Sequence, residues 1–99
     1  MDIYELIARY YEHRHLIWPV NADTALDWAL TEMAEAKELL LARQARWVRN
    51  HPQNEEPFSR ERLAEELGDI LMMVMVAGMV EGLDPIQALR EKIERKMRD

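Results

Sequence analysis

The chain has 99 residues, no cysteine and a formal net charge of -6, with 48% hydrophobic and 32% charged residues. That length holds one domain, residues 1–99, with one modest core, and the missing cysteine excludes a disulfide framework or a thiolate metal site. The acid excess argues against a general nucleic-acid binder, whose phosphate contacts need a basic face, but a small anionic ligand escorted by a cation stays compatible with it. The longest apolar run, Ile70 to Val80, falls short of the roughly 20 residues that span a bilayer, and Met1 to Val20 lacks a signal-peptide layout. A cytoplasmic protein without a membrane partner is expected.

Long stretches rich in Ala, Leu, Glu, Arg and Met favour helix over strand, so the expected fold class is all-α. In DIYELIARYYEHRHLI, Ile3, Leu6, Ile7, Tyr10 and Ile17 recur at helical spacing and predict a first helix over about 2–17. Trp18-Pro19 ends it, because proline disfavours the α conformation in the residue before it. Asn21, Asp23 or Thr24 can cap the next helix, Thr24 with Asp27 forming a weak capping box. No glycine or proline interrupts the pattern from there to Asn50, which predicts a helix over about 22–50. The polar segment NHPQNEEP reads as a loop.

Ser59 is the expected N-cap of a third helix over about 59–82, with Gly82 suited to the left-handed position after it. Asp84-Pro85 with Gln87 supplies a cap, a proline at the first helical position and a cap-box partner for a fourth helix over 84–98. The two long helices should form an antiparallel hairpin, the centre of a four-helix bundle. Residues 70 to 80 are apolar on nearly all faces, so a homodimer or homotetramer is expected to complete the bundle. Met72, Met73, Met75, Val76 and Met79 are candidates for core or interface.

The hairpin helices carry acids where apolar seams would continue. The stripe Trp28, Glu32, Glu35, Leu39, Ala42 holds two carboxylates, and so does Leu63, Glu66, Asp69, Met73, Val76, Val80. One Glu-x-x-Glu on a helix is most often a solvated face, and Glu38, Glu61 and Glu65 include such residues. Two pairs on facing apolar stripes are harder to dismiss. Four uncompensated carboxylates brought together would take up protons or push the helices apart, whereas a divalent cation removes the conflict. An all-oxygen set suits Mg²⁺ or Mn²⁺ better than zinc or copper, and the absent Glu-x-x-His pattern disfavours a di-iron bundle.

Glu32-x-x-Glu35 in a long helix, a loop, and then Glu66-Leu67-Gly68-Asp69 running into an apolar helix resembles the MazG-like nucleotide pyrophosphohydrolases. These belong to the all-α nucleoside triphosphate pyrophosphatase superfamily, and the resemblance covers about residues 22 to 98. EELGDIL is its most specific stretch. The family's first motif is often Glu-Glu-x-x-Glu, and here Thr31 takes the first place, so no role passes to it. The resemblance implies a MazG-like bundle in which Glu32, Glu35, Glu66 and Asp69 bind Mg²⁺, with Mn²⁺ as substitute. It also implies phosphate contacts from Lys92, Arg95 and Lys96 in REKIERKMRD, although cations in a last turn also simply favour the helix dipole.

Such an enzyme hydrolyses a nucleoside triphosphate between the α and β phosphates, releasing a monophosphate and pyrophosphate, as in nucleotide-pool house-cleaning. Metal ions would neutralise the triphosphate and activate water, Lys or Arg would stabilise phosphate charge, and Glu35 or Glu38 would act as the catalytic base. His15, Trp18 and Trp28 are the candidates for nucleobase contacts, and each could equally be packing. His13 and His51 have no argued role, and Trp47 reads as an interface residue. The competing readings are a phosphoribosyl-ATP pyrophosphatase-type enzyme or a specialised dUTP or dCTP pyrophosphatase, a non-catalytic helical interaction and assembly module, and a redox dimetal protein.

Overall fold

The computed structural model describes residues 1–41 and 59–99. Four helices and no strand occur among them: α1 Ile3–His13, α2 Ala22–Leu41, α3 Arg60–Val80 and α4 Pro85–Arg98. None of these helices is long and apolar enough to cross a membrane. The expected loop over NHPQNEEP, the part of the second helix beyond Leu41, and Trp47 and His51 lie outside the described residues.

Each start has a polar cap that gives an orphan amide a partner. Asp2 accepts from the Glu5 amide at 2.9 Å, Asn21 from Thr24 at 2.8 Å, Ser59 from Arg62 at 3.2 Å and Asp84 from Gln87 at 3.0 Å. Two expected details differ. Thr24 is inside α2 rather than its cap, because Asn21 already takes the amide. Gln87 does not reach back to its cap residue, because its side-chain amide donates to Glu91 one turn on, at 3.1 Å.

The first helix ends four residues before the expected Ile17. At its end the amides of His15 and Leu16 donate back to the carbonyls of Glu12 (3.1 Å) and Tyr11 (2.8 Å), the Schellman pattern that closes a helix on a left-handed residue. That residue is His15, at φ 53°. The end of α3 repeats the pattern with the expected glycine: Gly82, at φ 70°, and Leu83 donate to Met79 and Gly78. After the first of these turns Trp18 folds back and stacks on Tyr11, ring centroids 4.2 Å apart.

The hairpin pair α2 and α3 forms the main helix–helix interface. Ala25 and Ala29 share a buried cluster with Met73, Val76 and Ala77, while Ala36 and Leu39 are buried outside it. Since Glu32 meets Glu66 between these two zones, the helices run antiparallel. The seam of α2 is therefore Ala25, Ala29, Glu32, Ala36 and Leu39, one position round from the expected stripe, and Trp28 and Glu35 are exposed on its flank. Small residues predominate because alanines let the two backbones approach closely, so the large α2 side chains other than Leu39 fall outside the seam.

Ile7 and Tyr11 of α1 complete the buried cluster, with Tyr4, Met72 and Met79 packed against its edge. Met73, Met75 and Val76 are thus core within one chain, as the apolar character of residues 70 to 80 implied. Helix α4 packs on α3 at its beginning and buries no residue of its own. A Cβ at Gly78 would stand 2.3 Å from Pro85 Cγ, so the close approach of the α3–α4 turn depends on that glycine. The same turn is clasped by α1: the Tyr4 hydroxyl donates to the Asp84 carboxylate and accepts from the Ile86 amide at 3.2 Å.

Candidate metal centre

Glu32 projects from the α2 seam and Glu66 from the α3 seam, so the antiparallel register brings these two partly buried acids face to face. Glu35, one turn beyond Glu32, closes the group from the exposed flank. Carboxylate oxygens of Glu32, Glu35 and Glu66 all lie within 4.8 Å of one another. A six-coordinate Mg²⁺ at about 2.1 Å from each ligand holds opposite oxygens about 4 Å apart, a spacing of the same order as that of these three carboxylates.

Glu66 carries the strain of the arrangement. Its Oε2 is buried and has no hydrogen-bond partner among the described residues. Desolvation first, and then the Glu32 carboxylate, raise its pKa above the ordinary glutamate value; the Asp69 charge adds to the rise and Glu35 opposes it. Two carboxylates facing each other can bond only through a shared proton or a shared cation. The donor set is all oxygen, anionic and open on one side, and it fits a hard divalent ion.

Asp69 stands on the exposed flank of α3, outside the group of three, and acts on Glu66 through its charge. Glu38 is exposed one turn past Glu35. Trp28 lies two turns before Glu35 on the same α2 flank, 44% exposed. Trp18 is partly exposed against Tyr11, and His15 occupies the left-handed turn. Lys92, Arg95 and Lys96 are exposed on α4, which meets the bundle through its first residues near Gly78 rather than beside the carboxylates. Thr31, at the departure from the family motif, donates its hydroxyl to the Asp27 carbonyl at 3.2 Å and so is bound to its own helix. The Tyr4–Asp84 clasp had no sequence signal beyond the capping role of Asp84, because its partners are 80 residues apart.

No family model matches the chain, and no curated protein or solved structure matches it.

Proposed function

We propose that this chain is a Mg²⁺-dependent nucleoside triphosphate pyrophosphohydrolase, with Mn²⁺ as substitute, that cleaves the α–β phosphoanhydride to give a nucleoside monophosphate and pyrophosphate. The observation that carries the reading is the meeting of Glu32, Glu35 and Glu66, with the Glu66 Oε2 buried and without a partner among the described residues. The EELGD motif, with its resemblance to MazG-like enzymes, supplies the choice of reaction. Glu32, Glu35 and Glu66 would hold the cation, and Asp69 would join them from the adjoining turn. Bound there, a divalent ion supplies charge neutralisation for the triphosphate and a lowered pKa for an attacking water.

Glu35 is the exposed member of the group, so its carboxylate would accept the proton of an attacking water, with Glu38 the next acid along the helix. Water adds across the phosphoanhydride: its oxygen bonds to phosphorus, the bridging oxygen leaves with one product, and the proton passes to the carboxylate. Trp28, on the flank that Glu35 shares, offers a flat apolar surface for a nucleobase, and Trp18 and His15 are the further candidates. Lys92, Arg95 and Lys96, exposed on α4 away from the carboxylates, would be the cations for the phosphates on the strength of the family resemblance alone.

Incubation with NTPs and dNTPs plus Mg²⁺ or Mn²⁺ tests the reading by following pyrophosphate and monophosphate. EDTA should stop turnover, and Glu35→Gln or Glu66→Gln should lower it at least roughly a hundredfold while helical circular dichroism is kept. Orthophosphate as the first product, or no turnover of any nucleotide, refutes the proposal.

A further inference from the structure

Helix α4 divides its residues between two chemistries. Ile86, Leu89, Ile93 and Met97 follow one another at spacings of 3, 4 and 4, which at about 100° per residue gathers them within an arc of about 80°. A stripe of this kind ordinarily faces a core. Here α4 buries no residue, the four side chains are 39–80% exposed, and Met97, farthest from the α3–α4 turn, is the most exposed of them. The helix is nevertheless fixed before it meets anything. Asp84 caps it, Pro85 starts it, and the Tyr4 hydroxyl accepts from the Ile86 amide at 3.2 Å.

We infer that α4 docks flat on an anionic lipid surface, with Ile86, Leu89, Ile93 and Met97 entering the headgroup layer and Arg90, Lys92 and Lys96 meeting the lipid phosphates. The borders of the stripe carry the argument. Arg90 lies about 20° beyond one edge and Lys96 about 20° beyond the other, with Lys92 next round, whereas Glu94 and Glu91 stand about 60° and 120° beyond the Arg90 edge. Both borders are thus cationic. Long basic side chains beside an apolar stripe lay their stems along it and keep their charges at headgroup level. The helix dipole accounts for Arg95, Lys96 and Arg98 in the last turn, but not for Arg90, Lys92 or the stripe.

Charge over the whole chain points the same way. Five cations and two acids give α4 a charge of +3 in a chain whose total is -6, so the other residues together carry -9. An anionic surface attracts this helix and repels the rest, which turns α4 toward it. A bilayer suits the stripe better than a protein groove does. Both cationic borders meet one plane of headgroups, and the stripe lacks the Trp or Tyr anchor on which protein interfaces concentrate their affinity. The sequence's expectation of no membrane partner rested on its short apolar runs, which exclude a span but not a helix lying in the interface.

Co-sedimentation of the full chain with vesicles of mixed phosphatidylserine and phosphatidylcholine, in EDTA without nucleotide, tests this apart from the enzymatic reading. The chain should pellet with these vesicles at low salt, stay in solution with pure phosphatidylcholine, and be released as salt is raised. One charge near such a surface is worth about fivefold in binding, so Arg90→Gln should weaken it about fivefold and Glu94→Gln should tighten it by about as much. Ile93→Glu should weaken it more than about tenfold. Misfolding does not tighten binding, so Glu94→Gln keeps the test decisive should Ile93→Glu fail to fold. No pelleting with the anionic vesicles overturns the inference, as does equal pelleting with pure phosphatidylcholine or binding that none of the three substitutions alters. So does a vesicle-free mass of twice 11.7 kDa that Ile93→Glu halves, since a second copy would then occupy the stripe.

Discussion

Glu66 and Asp84 are both carboxylates near the ends of long-range contacts, and the fold treats them in opposite ways. Glu66 is drawn into the α2–α3 seam, where burial and the facing Glu32 push its pKa up and one oxygen has no partner among the described residues. Asp84 sits in the exposed clasp between α1 and α4, where the Tyr4 hydroxyl and then the Gln87 amide hold its pKa down. The phenol of Tyr4 moves the other way, raised by desolvation and then by Asp84, so the proton stays on the tyrosine. An acid that receives donors stabilises the chain through its charge. An acid that faces another acid can bond to it only by sharing a proton or a cation.

The clasp should respond most to change at Gly78. A methyl there meets the rigid Pro85 ring, and overpacking of this kind costs about 1–3 kcal/mol, against about 1 kcal/mol of helix propensity regained over glycine. Urea unfolding of Gly78→Ala should therefore show a net loss. Gly68→Ala, where nothing lies within 4 Å, should show a gain. Equal effects at the two glycines would remove the close approach of α3 and α4 as the support of the clasp.

In the seam the expected change is smaller and of opposite sign. Replacing a partly buried carboxylate that faces another acid by a hydrocarbon relieves desolvation and repulsion, so Glu66→Leu should stabilise the chain in EDTA by about 1 kcal/mol. Added Mg²⁺ should then raise the Tm of the unmodified chain but not that of the variant. A destabilised Glu66→Leu would show instead that the acid supports the apoprotein.

The pH profile separates the two regions most finely. Glu66, with its folded pKa raised, binds its proton more tightly folded than unfolded, so its contribution is complete below the ordinary carboxylate pKa and is lost as pH rises through the folded value. Asp84, with its folded pKa lowered, contributes above the ordinary value and loses that contribution as pH falls through the folded one. In EDTA, Glu66→Gln should flatten the decline above the ordinary carboxylate range, and Asp84→Asn the decline below it. If each substitution altered the opposite limb, the two environments would be misassigned.

Much of the fold was legible because local chemistry marks helix ends. Ser59, Gly82 and Asp84-Pro85 name their own positions, since a cap, a left-handed glycine and a first-turn proline each depend on a few neighbouring atoms. The end of α1 was not legible in that way. Its left-handed residue is a histidine, a poor predictor of that conformation, and the pattern ran on to Ile17. The acidic pairs were visible in their spacing, but spacing alone placed Trp28 and Glu35 in the seam. The alanines shifted the interface by one position, because close helix packing follows small side chains as readily as large ones.

By itself the sequence determined the all-helical class, the caps, and the helical spacing of the two acidic pairs. All of these depend on neighbours within about a turn or on periodicity along one helix. Tertiary structure decided the rest. It brought Glu32, Glu35 and Glu66 together with Asp69 at their margin and joined Tyr4 to Asp84 across 80 residues. Those outcomes depend on the register and rotation of one helix against another, which close packing sets and no single segment encodes.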